Sequence, residues 1–220
     1  MHRVPRQLAL LAVFTGSAAF TGALHAAEAD SGLYAGVALG WVSAPDLSAS
    51  GIDAALASGL PPSQTSGVTN GSTAWQVFAG YRFNRHFAFE MSYNYISDMG
   101  FTTYVPSLSA IGAGDWSGYD VDGVLVASLP IGERFAVFGK AGAAFYDVQL
   151  EAMPTTGSVT YKFVGEATGW SPALGVGASF TFAEGWAVRA EWDMLFNVGN
   201  SNTTGRSDLS RWLVGVMLAF

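Results

Sequence analysis

The chain has 220 residues, and only 12% of them are charged, whereas soluble domains typically carry about 25%. Half of the residues are apolar and none is cysteine, which excludes disulfide scaffolds and chemistry based on thiols. The formal net charge of −7 argues against nucleic acid as a partner.

The first 29 residues are typical of a secretory signal peptide. Arg3 and Arg6 precede the short apolar run 8–14, and small residues continue to Ala29. A positive start, a short apolar core and an Ala-x-Ala ending indicate export. Three cleavage points fit this pattern: after Ala26, Ala27 or Ala29.

Residues 30–220 alternate apolar with polar or small side chains, and we predict that they form one domain. They contain no run of the roughly 18–20 apolar residues that a membrane helix needs. An alternation of period two is typical of strands with one apolar face. The predicted strands are 32–43, 73–83, 87–96, 118–130, 134–148, 169–182, 186–196 and 209–220. An even number of such strands predicts an all-β fold, an eight-stranded antiparallel up-and-down transmembrane barrel.

The connections between these strands alternate in length. Long polar loops are predicted over 44–72, 97–116, 149–168 and 197–208, and turns of a few residues lie between them. In outer-membrane barrels the long loops are extracellular and the short turns periplasmic. The stretch DAALAS in the first loop is compatible with a short helix.

The last predicted strand ends on an aromatic residue. Its apolar face begins at Trp212 and ends at Phe220. A terminal Phe after alternating apolar residues resembles the assembly signal of bacterial outer-membrane barrels, which implies the barrel assembly machinery as a partner. The alternative is the edge strand of a soluble sandwich.

Several charged side chains fall at inward positions of the predicted barrel. Unpaired charges in a narrow lumen are costly, so we expect these groups to pair or to keep water. The predicted lumen charge network consists of Arg82, Glu90, Lys140, Arg189 and Glu191.

Five stretches carry a resemblance to a known family. LYAGVALGWVS resembles the first strand of the outer-membrane protein A barrel, GYRF and FAFEMSYNY its second and third, and TGWSPALGVGASFTF and AEGWAVRAEWDM its sixth and seventh. The resemblance implies an OmpA-like or opacity-like barrel in the bacterial outer membrane, surrounded by outer-membrane lipid. The periplasmic peptidoglycan-binding domain of that family has no counterpart in this sequence.

The resemblance also bears on the lumen charges. In that family a carboxylate and an arginine at the positions of Glu90 and Arg189 belong to a lumenal ion-pair gate. The other lysine and glutamate of the gate correspond to Val126 and Ser179, so half of the gate is missing. We therefore prefer a static network that fills the lumen, with a switching gate as the alternative.

The sequence offers no catalytic constellation. The barrel enzymes of this membrane use a histidine near the extracellular rim, whereas the only histidine after the signal peptide, His86, lies in a predicted periplasmic turn. The inward pair Asp120 and Asp122 could bind a cation, but such side chains more simply face a hydrated lumen. We expect a protein that is not an enzyme and has no cofactor or metal.

The expected function is a structural or surface-interaction role. Four extracellular loops would contact a host or cell-surface ligand that their composition does not identify, and a monomer is expected. The alternative is a small, low-conductance porin. Bulky inward side chains at Tyr34, Phe78 and Phe138 favour a plugged lumen, because an eight-stranded interior is just wide enough for side chains to fill.

Overall fold

The computed structural model describes residues 31–220, so the predicted signal peptide lies outside the described residues. Eight long antiparallel strands form the wall: β1 (Gly32–Ser43), β2 (Gly71–Arg82), β3 (Phe87–Val105), β4 (Ala110–Ile131), β5 (Phe135–Ala152), β6 (Phe163–Ala183), β7 (Trp186–Asn200) and β8 (Gly205–Ala219). Each strand pairs with the next along the chain, and β1 also pairs with β8. The predicted eight-stranded all-β barrel is confirmed. None of the helices in this range is long and apolar enough to cross a membrane.

The seam between β1 and β8 closes the wall. Tyr34 lies opposite Ala219 and Trp41 lies opposite Trp212. Beyond the last paired residue, the Phe220 amide donates a hydrogen bond to the Leu33 carbonyl at 2.9 Å. Every strand of the ring therefore has two neighbours over its membrane-spanning part.

Three tight turns occupy one end of the barrel, which we call the short-turn end. In the first, Asn84 Oδ1 accepts hydrogen bonds from the amides of His86 and Phe87, at 2.8 and 2.9 Å. In the other two, Gly132 and Gly185 adopt positive φ angles of 72° and 73°, which glycine reaches without a steric penalty. These turns lie where the sequence predicts them.

The opposite end, the long-loop end, is more ordered than the sequence suggests. Strands β3 and β4 continue to pair from Met99–Trp116 up to Val105–Ala110, and β5 and β6 pair up to Ala152–Phe163. The expectation of loops over 97–116 and 149–168 is therefore wrong for most of those residues. In the last predicted loop, 197–208, the actual connection between β7 and β8 is only 201–204.

The extra pairing has a physical cause, because the inward side chains of these extensions enter an apolar core. They cluster with residues of the first loop, which folds over the barrel mouth. We call this cluster the apolar cap. Its main side chains are Leu47, Ile52, Leu56, Phe101, Trp116, Leu150, Phe163, Leu195 and Leu209.

Helix α1 (Ala49–Leu56) is the part of the first loop that closes the cap. Ser48 begins it, with its Oγ accepting a hydrogen bond from the Gly51 amide at 3.2 Å. Asp53 ties the helix to the following chain, since its carboxylate accepts hydrogen bonds from the hydroxyls of Ser63 and Thr65 at 2.8 and 2.7 Å. A short strand after it, Gln64–Ser66, pairs with the extension of β3.

Candidate functional site

The barrel lumen is filled by three kinds of side chain: aromatic, charged and aliphatic. Charged side chains occupy the middle, the inward rings of Phe78 and Phe138 pack against them, and the apolar cap covers the top. The charged side chains are buried within the filled lumen. The candidate site is this enclosed ion network.

The centre of the network is the pair of Glu90 on β3 and Arg189 on β7. Arg189 Nη1 donates to Glu90 Oε2 at 2.6 Å, and Nη2 donates to Oε1 at 3.0 Å, a bidentate arrangement. Tyr34 donates its hydroxyl to Glu90 Oε2 at 2.9 Å. The ring of Tyr34 passes over Gly80, where any side chain would collide with it.

Arg189 is also held by groups other than Glu90. Its Nε donates to Glu191 Oε2 at 2.7 Å. Its guanidinium carbon lies 4.8 Å from the ring centre of Phe78 and 4.3 Å from that of Phe138, distances that permit cation–π attraction. The bulky inward aromatics thus clamp the central cation as well as filling the lumen.

Lys140 on β5 links this centre to a third carboxylate. Its Nζ lies 3.1 Å from Glu191 Oε2, 2.9 Å from Asp193 Oδ1 and 3.8 Å from Glu90 Oε1. In register, Lys140 and Asp193 lie on either side of Gly175. A Cβ at Gly175 would collide with both side chains, so glycine at this position allows the pair to form.

A third cation, Arg211 on β8, belongs to the network although the predicted set did not include it. Its Nη1 donates to Asp120 Oδ2 at 2.6 Å, and its Nη2 lies 3.7 Å from Asp122 Oδ2. Asn94 donates to both of these aspartates, at 3.0 and 3.2 Å. The strand alternation did contain the signal, because an outward Trp212 requires that Arg211 face inward.

Arg82 lies apart from the other four residues of the predicted network. It is at the short-turn end, with its guanidinium carbon 5.8 Å from the ring centre of Tyr34. In the part of the chain that the structure describes, no ion pair involves Arg82. The structure thus brings Glu90, Lys140, Arg189 and Glu191 together but not Arg82.

The network contains more acids than bases. Its carboxylates are Glu90, Asp120, Asp122, Glu191 and Asp193, and its cations are Lys140, Arg189 and Arg211. A cavity of about 10 Å³, lined by Asp122, Lys140, Asp193 and Arg211 among others, lies within it. That volume matches about one water molecule. Chemically the arrangement can brace the strands and block the lumen.

The structure offers no catalytic arrangement around His86. Its Nδ1 is 3.1 Å from the Ser128 carbonyl oxygen, and its Nε2 accepts a hydrogen bond from Arg85. It lies in the turn between β2 and β3, at the short-turn end. Over residues 31–220, no group of three or more His, Asp or Glu side chains is arranged to hold a metal ion.

The two residues of the predicted assembly signal both face outward. Trp212 is 66% exposed and Phe220 is 73% exposed. Trp212 lies in a cross-strand row between Trp41 and Trp192, and its ring centre is 6.2 Å from that of Trp192. Aromatic rows of this kind form the interfacial girdles of membrane barrels.

Comparisons with known proteins agree with this architecture. The family model described as OmpA-like transmembrane domain matches residues 28–220. Outer membrane protein A of Serratia marcescens is 24% identical over 96% of this chain and 55% of its own length, and that of Salmonella typhi is 27% identical over 96% and 54%. The chain thus spans about half the length of the curated relatives that it matches.

A solved structure shows the same fold. The crystal structure of Neisserial surface protein A aligns with a TM-score of 0.51 and 14% sequence identity, covering 86% of this chain and 97% of that chain. This structure confirms the fold, and the family match and the curated relatives confirm the expected resemblance and the expected location. The chain belongs to the OmpA-like transmembrane domain family and is a β-barrel of the bacterial outer membrane.

Proposed function

We propose that the protein is a closed, non-enzymatic barrel that presents its long-loop end to the cell exterior as an interaction surface. The observation that carries this proposal is the triple filling of the lumen by aromatics, ion network and apolar cap. We expect such a filling to block a continuous water path through the lumen. What remains available for function is the folded platform above the membrane, on the side where long connections of outer-membrane barrels lie.

The proposed partners follow from the surfaces. Outer-membrane lipid covers the apolar wall, and the barrel assembly machinery recognises the outward Trp212 and Phe220. The barrel acts as a single chain, because β1 and β8 close the wall without a neighbour. A host or cell-surface ligand binds the long-loop end, and nucleic acid does not, because carboxylates outnumber basic groups there.

A low-conductance porin is the alternative function, and it is favoured by the charged side chains of the ion network in the middle of the lumen. Val126, which replaces a gate lysine of the family, lies directly opposite Lys140, and Ser179 lies opposite Arg189. In a switching gate, Lys140 would have to replace Arg189 as the partner of Glu90. That move would break its contacts with Glu191 and Asp193, which are shorter than its present contact with Glu90. This favours a static network over a switching gate.

Conductance measurements separate the two functions. The mature protein, reconstituted in planar lipid bilayers, should show no steady single-channel current, whereas the Arg189→Met variant should leak because a stranded carboxylate keeps water in the lumen. A steady wild-type conductance would contradict the plug and establish the porin.

Attachment tests the surface role directly. Bacteria that express the protein should attach to a mammalian cell monolayer more than bacteria that express a variant with residues 101–113 replaced by a short Gly-Ser turn. Equal attachment, with equal amounts of both proteins at the surface, would eliminate the surface role.

The assembly role of the C-terminus gives a further prediction. Deleting Phe220 should lower the amount of barrel in the outer membrane several-fold, while export to the periplasm continues. Immunoblots of membrane and periplasmic fractions measure this effect, and Phe182→Ala, which removes another exposed aromatic near the short-turn end, is the control. An unchanged membrane level would show that Phe220 is not part of a signal.

A further inference from the structure

The outer wall of β3, β4 and β5 changes character above the membrane. Tyr95 on β3 lies opposite Tyr119 on β4 at the aromatic girdle. Ile111 lies eight positions before Tyr119 on β4, toward the long-loop end, which corresponds to about 26 Å along the strand and about 20 Å of height at a tilt of ~40°. Side chains at that height are clear of the hydrocarbon layer.

Two rows of outward residues form the upper part of this wall. Tyr104 is paired with Ile111, which is paired with Thr155. One row below, Thr102 is paired with Ala113, whose carbonyl accepts a hydrogen bond from the Met153 amide. We call this surface the tip patch: Thr102, Tyr104, Ile111, Ala113, Met153 and Thr155.

The tip patch is apolar at its centre and free of charge. Ile111 is 58% exposed, Met153 is 43% exposed and Tyr104 is 38% exposed. Residues 99–114 and 152–161 contain no Asp, Glu, Lys, Arg or His. Contiguous exposed apolar side chains with a polar rim mark interaction sites, and protein interfaces favour aromatics and Met and exclude charge from their centre.

An acidic row borders the tip patch on its membrane side. Asp115 lies directly opposite Glu151, and Asp98 lies near them on β3. Burial, and then the negative charges of Asp98 and Glu151, raise the pKa of Asp115 above its ordinary value. Like charges facing each other across strands are destabilising, so a cation placed against this row would be favoured. Lys162, 3.0 Å from Glu151, compensates only part of the row.

We propose that the tip patch, with the acidic row at its lower edge, is the docking surface for a protein segment that has apolar side chains at its centre and Lys or Arg at its membrane-proximal edge. This inference rests on the proposed surface role and names the surface and the chemistry of the partner. The acidic row repels polyanions such as sulfated glycans. Apolar contacts at the tip provide the affinity, and the acidic row orients the partner.

A random peptide library identifies the partner chemistry that the tip patch prefers. The full mature chain, folded in phosphatidylcholine nanodiscs, is used to select from a twelve-residue library displayed on phage. Selected peptides should combine apolar residues with Lys or Arg. A synthetic copy of the most enriched peptide, labelled with a fluorophore, then serves as the probe for binding measurements.

Matched variants localise the binding of that peptide. Ile111→Asp should weaken it at least tenfold, and Asp115→Asn should weaken it several-fold and reduce its dependence on salt. Ser201→Asp, which adds the same charge on the β7–β8 connection, and Glu184→Gln, which removes a charge at the short-turn end, should leave it unchanged. Both control side chains are exposed. The SDS-resistant folded form of each variant, seen by electrophoresis without boiling, shows that the barrel is intact.

Several outcomes would overturn the proposal. Selection of acidic peptides would assign another chemistry to the surface. Binding of a heparin fragment that is lost in Ile111→Asp would do the same. Equal weakening by Ser201→Asp would show that binding is not localised to the tip patch. Because the chain has no cysteine, an Ile111→Cys variant tests whether a second copy of the protein occupies the tip patch. Disulfide-linked dimers in the membrane would show that it does. If cells attach but Ile111→Asp does not reduce attachment, the surface role stands and the tip patch is wrong. If no variant alters attachment, the surface role itself fails.

Discussion

Replacing Arg189 by Met should lower the free energy of unfolding of the barrel by about 3–5 kcal/mol, the usual cost of removing one partner of a buried ion pair. The variant leaves Glu90, which has no exposed surface, without its bidentate partner and leaves Glu191 without one of its two cations. Equilibrium unfolding in urea, with the protein in detergent micelles, measures the loss. Arg82→Met is the matched control, because Arg82 makes no ion pair within residues 31–220, and its effect should be much smaller.

A second substitution tests the pairing itself. Adding Glu90→Leu to Arg189→Met should recover much of the lost stability, because two apolar side chains can replace a buried pair at little cost. The recovery is partial, since Tyr34 loses the acceptor of its hydroxyl. If the two changes simply add in a double-mutant cycle, Glu90 and Arg189 do not interact energetically.

Trp116→Ala should unfold the long-loop end while leaving the membrane-spanning wall in place. Trp116 is only 1% exposed and is the largest fully buried side chain of the described structure, so its truncation should cost the apolar cap about 3–5 kcal/mol. Since about 1.4 kcal/mol is a factor of ten, amide hydrogens of residues 97–116 should exchange roughly a hundredfold faster or more. Mass spectrometry of the exchanged protein measures this change.

The control for this change is Trp170→Ala. Trp170 lies on the outer wall against Phe145, at a ring-centre distance of 5.4 Å, and takes no part in the cap. Its loss should leave exchange at residues 97–116 unchanged. Equal effects of the two substitutions, or an unchanged cap in Trp116→Ala, would show that the cap does not depend on Trp116.

The membrane-spanning wall could be predicted from the sequence because each of its strands obeys one rule, the alternation of lipid-facing and lumen-facing side chains. The same rule selected Glu90, Lys140, Arg189 and Glu191 as inward residues. It could not show that Arg82, next to the short turn, does not reach the other four inward charges. Height within the lumen depends on register between neighbouring strands, and alternation within one strand carries no information about register.

The apolar cap could not be predicted in this way. Residues 97–116 read as a loop because most of their outward positions are polar, small or glycine, and the two large ones, Tyr104 and Ile111, do not make a membrane-facing stripe. Their inward partners are Ile52 and Leu56, which are far away in the chain and lie on a helix of only two turns. Such a core becomes visible only when the strands have brought its parts together.

The seam between β1 and β8 has a consequence for how the protein enters its membrane. The two strands that meet there are the first and the last of the eight described wall strands, so the contact that completes the ring is also the one with the greatest separation in sequence. Until it forms, both strands carry a free edge of amides and carbonyls, and each such group costs several kcal/mol in hydrocarbon. A half-closed wall is therefore costly in the bilayer, and the free edges of β1 and β8 must be paired or shielded from hydrocarbon until the ring closes.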